Sequence, residues 1–416
     1  MDWSKSQQAS NLFEDSITKF QLKDFEGAIE DLDKAIELVQ DVPEYFWNRG
    51  AFKATIGKHR EAVEDFTKGI ELNPKDCKAY INRGKVYCFN DKGIDHGPGA
   101  RIKEAIDDFS TAIRIMPDDP EGWALRGKCK AWSGQYPIQY AIDDLDEAIA
   151  LKPDFVDALR DRAMCYYKLN EFAQASEDLD KVIEKQPEEP KGHFYKAICI
   201  INSTKDYPAA LEEANRALQL DPELAGAYHI RGIANTQLGH FHNAIKDYDV
   251  AIEKKTENTF DCYFQRAKVK HNLRDYEGSV ADHTEAIKLK PEIPQAYFNR
   301  GIAYFYLRKF DLAMADFDKV IENGDKGALI YDWRCYTLIQ VHDYERAIEE
   351  GKRALEIDPK FCVAYYRIGR AKFFLGDIAA ARESQLRALE IDPNYQPAKD
   401  AIEFLDKQEA KRKTEE

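Results

Sequence analysis

Basic charge is in short supply in this 416-residue chain: 60 Lys and Arg stand against 75 Asp and Glu, for a net charge of −15. That balance argues against a general nucleic-acid or anionic-membrane binder, because both use basic surface. Long apolar runs are missing too, so no stretch is apolar enough to span a bilayer. The opening residues, MDWSKSQQASNLF, lack the charged-then-apolar pattern of a signal peptide, and a cytoplasmic location is expected. Eight cysteines are present, but none forms CxxC and none joins histidines at zinc spacing. Cys129, Cys165 and Cys199 occupy equivalent places in successive segments and read as buried small hydrophobes in a reducing compartment. Gly-rich phosphate loops, HExxH and Ser-His-Asp or Cys-His arrangements are absent. His240-x-His242 offers too few ligands for a metal and reads as an exposed turn. No catalytic residue, metal ligand or cofactor is therefore assigned, and an enzyme is not expected.

What the chain does have is a run of prolines that keep time. Pro74, Pro117, Pro153, Pro187, Pro222, Pro291, Pro359 and Pro393 are separated by 43, 36, 34, 35, 69, 68 and 34 residues, the two long gaps being doubled periods. An apolar or small pair seven residues apart recurs in the units, with or without the proline after it, as in Ala105/Ala112, Ala244/Ala251, Ala313/Val320 and Ala381/Ala388. Twelve residues before the pair stands a small residue such as Gly50, Gly232, Gly301 or Gly369, with Gly84 and Gly127 further off where the turn is expanded, often preceded by an aromatic such as Tyr80, Trp123 or Tyr297. Small residues let two helices approach closely. Proline follows the second helix, where a missing N–H cannot damage a hydrogen-bond ladder. Short turns such as Leu238-Gly239-His240 separate the helices. The unit is a helix–turn–helix of about 34 residues, repeated.

This pattern resembles the tetratricopeptide repeat family. Eleven units start near residues 9, 43, 77, 120, 156, 190, 225, 260, 294, 328 and 362, spanning 1–395 with an insertion within 89–103. Residues 396–408 read as a capping helix and 409–416 as a frayed charged tail. The resemblance implies an all-α fold, a right-handed solenoid superhelix whose concave face is lined by first helices.

Acids recur two apart in second helices, as in Asp178/Asp180, Asp247/Asp249 and Asp316/Asp318. Residues two apart on a helix do not face each other, so these pairs are no ready-made metal or acid–base site. Repeats two to ten each carry a cation beside the small residue, from Arg49 to Arg334, and an acid late in the repeat, from Asp65 to Glu350. An ion-pair ladder is expected. Treated as partly exposed, each pair contributes only about 0.2–1 kcal/mol and sets register more than stability.

Function is then expected on the groove, through recognition of one or more partner proteins as extended or helical segments. Candidate groove residues in the early repeats are Trp47, Asn48, Lys78, Asn82 and Lys85. In the late repeats they are Lys268, His271, Phe298, Asn299, Phe305, Tyr306, Trp333, Tyr336, Tyr366, Arg367 and Arg370, where aromatics and arginines concentrate as they do at interface hot spots. Phe373 and Phe374 read as neighbours of the cap. The family's carboxylate clamp for chaperone tails is matched at Asn48 and Lys78, but Phe13, Ile17 and Asn82 depart from it. Alternatives are a regulatory subunit wrapping an enzyme, with expanded turns near 89–103 and Gln135–Tyr140 as docking edges, and self-association through the terminal repeats.

Overall fold

Helix, turn and helix recur along the whole of the chain that the computed structural model describes: residues 3–88 and 101–415 along the backbone, with side chains described to residue 409. Those residues form 23 α-helices and no strand. They divide into two compact units, Met1–Ala209 and Ala210–Glu416.

The N-terminal unit contains the helix pairs Trp3–Gln21/Phe25–Leu38, Pro43–Thr55/His59–Leu72, Cys77–Tyr87/Ile102–Ile115, Pro120–Ser133/Ile138–Leu151 and Val156–Lys168/Phe172–Lys185, then Pro190–Ser203. The C-terminal unit opens within Tyr207–Leu220. It continues as Ala225–Gln237/Phe241–Glu253, Thr259–Asn272/Tyr276–Leu289, Pro294–Tyr306/Phe310–Glu322, Ala328–Gln340/Tyr344–Ile357 and Cys362–Phe374/Ile378–Ile391, and closes with Gln396–Glu415. That last helix runs seven residues past the expected 408. Its extension is rich in Lys, Arg and Glu, good helix formers, and Arg382 pairs with both Asp406 and Glu409.

Local chemistry explains the punctuation. Pro43, Pro120, Pro190 and Pro294 occupy the first helical turn, where the missing N–H has no ladder partner to lose. Asp24, Asp76, Asp275, Asp343 and Asp377 accept an N–H from the turn they precede, a side-chain cap. The turn inside a repeat needs one left-handed residue. Glycine supplies it at Gly239 (φ 76°), whereas Arg274 and Arg308 adopt φ 64° and 59° with a side chain in place, at a cost of about 1 kcal/mol each.

The cores are small residues meeting large ones. Ala244, Ala251, Ala313 and Ala347 have no exposed surface. A methyl group on Gly232 would sit 2.7 Å from the Tyr248 ring, and one on Gly301 2.6 Å from Phe317. These glycines are therefore required by close approach. All eight cysteines carry free thiols. Burial pushes the Cys165 thiol up to about 11 and Cys199 up to about 12, which leaves them protonated and unreactive at neutral pH. The Cys88 and Cys129 sulfurs lie 3.2 Å apart.

The cation ladder is present and more buried than expected. Arg49, Arg83, Arg126, Arg162, Arg231, Arg266, Arg300 and Arg334 pair with Asp65, Asp108, Asp144, Asp178, Asp247, Asp282, Asp316 and Glu350 of their own repeats. The carboxylates are 4–8% exposed, so the surface-pair magnitude does not apply. Breaking such a pair strands a buried charge. Each cation also reaches back one repeat: Arg266 to Asp249, Arg334 to Asp318, Arg162 to Asp146, Arg300 to the Thr284 hydroxyl. The recurring acid pairs are thereby explained. Asp247 serves Arg231 of its own repeat, and Asp249 serves Arg266 of the next. In repeat one Lys19 takes over, one turn beyond the usual cation, and bonds Asp31 at 2.5 Å. In repeat eleven Lys372 donates to Ser384 instead.

Candidate functional site

The late groove candidates lie on first helices of the C-terminal unit, and the structure sorts them into internal and available groups. Phe305 is 8% exposed and packs edge-on against Trp333 at 5.4 Å and tilted on Tyr336 at 4.6 Å. Trp333 in turn touches Phe317 at 6.5 Å. Arg367 lies over Tyr336 at 4.2 Å. Its Nη1 donates to the Asp332 carboxylate at 2.8 Å and to the Asp332 carbonyl at 2.6 Å. Burial pushes the Asp332 carboxyl up to about 6, against the pull of Arg367. Phe305, Trp333 and Arg367 are thus engaged within the repeats: rings of neighbouring helices pack on these side chains, and Asp332 pairs with Arg367. Phe298 is half-buried and tilted against Phe317.

The available group is different. Tyr306 is 48% exposed and stacks on Tyr276 at 4.9 Å. His271 meets both rings edge-on, and burial lowers its pKa. Asn299 accepts from Gln295. Tyr366 meets Tyr395 edge-on. Among described Lys and Arg residues on first helices of this unit, most are engaged internally, including Arg231, Arg266, Lys270, Arg300, Arg334 and Arg367. Lys268 and Arg370 enter no carboxylate pair; they lie over Phe264 and Tyr366.

These two cations sit at two cavities. One, of about 250 Å³, is lined by Lys268, His271, Asn272, His283, Asn299 and Ile302. The other, of about 590 Å³, lies among Tyr366, Arg370, Phe373, Phe374, Gln385 and the cap helix residues Phe404 and Leu405. Each cavity exposes a change at one core position, the residue four after the first small residue of the second helix. There Phe66, Phe109, Tyr248 and Phe317 fill their repeats. Repeat eight has His283 and repeat eleven Gln385, both 1% exposed, and each has an unpartnered polar atom, His283 Nδ1 and Gln385 Oε1. Sequence reasoning missed Gln385, His283 and Phe404. The signal available was a polar residue where the other repeats carry a ring, a leucine or a small residue.

The early candidates are mostly taken up locally. Trp47 packs on Gly69, Asn48 donates to the Glu44 carbonyl, and Lys85 pairs with Glu121 at 2.5 Å. Lys78 is exposed and Asn82 half-buried. Phe13 and Ile17 pack into the core of the first repeats, Phe13 5.4 Å from Tyr45. Most of the insertion expected within 89–103, residues 89–100, lies outside the described residues. In the other expanded turn the helix resumes at Ile138, leaving Gly134–Pro137 as the connection. His240 contacts Asn235 at 3.4 Å beside His242, and no metal-holding group of three ligands occurs among the described residues.

Tetratricopeptide repeat models match residues 43–76, 138–198, 294–323 and 363–395. Together with the repeated hairpins and their small-residue cores, they place this chain in the tetratricopeptide repeat family. It is similar to stress-induced-phosphoprotein 1 of Caenorhabditis elegans, 20% identical over 51% of this chain and 65% of that protein. It is also similar to the human mitochondrial import receptor subunit TOM70, 26% identical over 53% of this chain and 38% of that one. The chain thus spans less than two thirds of the length of these curated relatives. Among solved structures, yeast Tom70 aligns over 98% of this chain and 97% of its own at 19% identity, with a TM-score of 0.38. No helix among the described residues is long and apolar enough to cross a membrane.

Proposed function

We propose that this chain is a non-catalytic adaptor that holds a segment of a partner protein on the first-helix face of its C-terminal unit. One observation carries the reading. In a unit that pairs its first-helix cations internally, Lys268 and Arg370 are left without a carboxylate, each beside a cavity and exposed or half-buried aromatics. Aromatic area next to an unneutralised cation is what a binding hot spot requires. The names of the relatives, an import receptor and a stress phosphoprotein, suit a binding role. A chaperone-tail clamp is disfavoured, because the Phe13 and Ile17 side chains that replace its first two polar groups are packed into the core.

The test compares capture of proteins from the source lysate by wild type and by Lys268→Glu/Arg370→Glu, with melting temperatures measured in parallel. Partners held by wild type and lost from an equally stable double variant support the reading. Equal retention by both contradicts it.

A further inference from the structure

The cavity under the cap helix lacks the ring that closes repeats two, three, seven and nine, and what stands in for that ring is informative. Gln385 lies where Phe109, Tyr248 and Phe317 plug repeats three, seven and nine. Its Nε2 donates to the Tyr366 carbonyl at 3.1 Å. Only the amide nitrogen can donate to a carbonyl, so this bond fixes the orientation of the side chain. Oε1 is left buried without a partner. An unpartnered buried acceptor is costly to maintain in a finished core. The rest of the wall is aromatic: Phe373 meets Phe404 edge-on at 5.4 Å, and Phe374 and Phe404 are 49% and 47% exposed. Asp400, also at the cavity, already accepts from Gln396 at 2.6 Å. Arg370 has no carboxylate partner.

Resting on the binding reading above, we propose that this cavity receives a Trp or Tyr side chain of the partner segment, which completes the repeat from outside. The ring lies in the cavity beside Gln385, against Phe373 and Phe404. Its indole N–H or phenol O–H donates to Gln385 Oε1. Neither Phe nor an aliphatic residue can supply that donor, so the chemistry selects an aromatic with a polar handle. Arg370 lies against the ring face or takes an acidic residue beside it.

The same repeat geometry provides a clean test. Gly369 lies over position 385 just as Gly301 lies over Phe317, so Gln385→Phe gives repeat eleven the ring of repeat nine and is expected to fold with a higher melting temperature. Random dodecapeptides displayed on phage are selected against the full-length chain, and recovered peptides are titrated against wild type and Gln385→Phe. Recovery of Trp- or Tyr-bearing peptides is expected. Their affinity should fall tenfold or more on Gln385→Phe, and also when their Trp is replaced by 1-methyltryptophan, which keeps the ring and removes the donor. Peptides that bind Gln385→Phe equally well, or that tolerate methylation, overturn this inference while leaving segment binding intact. If no peptide is recovered, both this inference and the binding reading fail.

Discussion

Repeats seven and nine close on a ring, whereas repeats eight and eleven close on an imidazole and a carboxamide. Tyr248 is fully buried and its hydroxyl finds Thr236 at 3.0 Å; Phe317 needs no partner at all. His283 and Gln385 occupy the equivalent place with one polar atom unmatched, and each has a cavity and an unpaired cation alongside. The difference separates two uses of one scaffold. Ring-plugged repeats hold the array together. On the binding reading proposed above, polar-plugged repeats give up packing for a surface that a partner completes.

The largest expected effect lies in the ring-plugged repeats. Asp316 has Arg300 as its charged partner and burial raises its pKa, so Arg300→Met should destabilise by about 3 kcal/mol. Arg300→Met/Asp316→Leu should recover most of it in denaturant unfolding; additive losses would show that the ladder is not the cause.

Gly301→Ala follows, at about 2 kcal/mol, because the new methyl meets the Phe317 ring with no room to yield. The matching Gly369→Ala should cost less: its methyl would lie 2.3 Å from Gln385 Nε2, the end of a flexible side chain that can yield where the Phe317 ring cannot. Equal costs in thermal unfolding would erase the contrast between the two kinds of repeat.

A pH series sharpens it further. Burial depresses His283 to about 3, below its ordinary value, so the neutral imidazole contributes stability above pH ~6.5 that is lost as pH falls toward 3. Asp332, raised to about 6, acts oppositely: the cost of its charge is relieved as pH falls through 6 toward its ordinary range. His283→Phe should therefore lose less melting temperature than wild type between pH 7 and 5, and an unchanged slope would contradict the assignment. The smallest effect is at a turn. Arg308→Gly removes a left-handed side-chain residue and should change stability by no more than about 1 kcal/mol, in the stabilising direction.

Much of the fold is legible in the sequence. Prolines outside second helices, paired alanines within them and one glycine against each ring are local signals that repeat, so chance cannot mimic them. The Arg–Asp spacing also exposed the ladder. What could not be read was which side of a hairpin a residue turns to. Arg367 and Phe305 carry groove-like chemistry, yet the first is held by Asp332 and the second lies beneath Trp333, because stacking of successive hairpins decides burial. Asp249 likewise has no partner assigned from the sequence, and the next repeat supplies Arg266. Gln385 and His283 left a trace in the pattern, as polar residues at a ring position, but their meaning depends on the cavities beside them.

The most direct test places a photo-crosslinking benzoylphenylalanine at either of two comparably exposed aromatics, Phe374 in the C-terminal unit (49%) and Trp132 in the N-terminal unit (48%). Each full-length variant is irradiated in lysate of the protein's own source. A partner covalently captured from position 374 and absent from position 132 is the predicted result. Capture from 132 with none from 374 would contradict the assignment of binding to the late repeats.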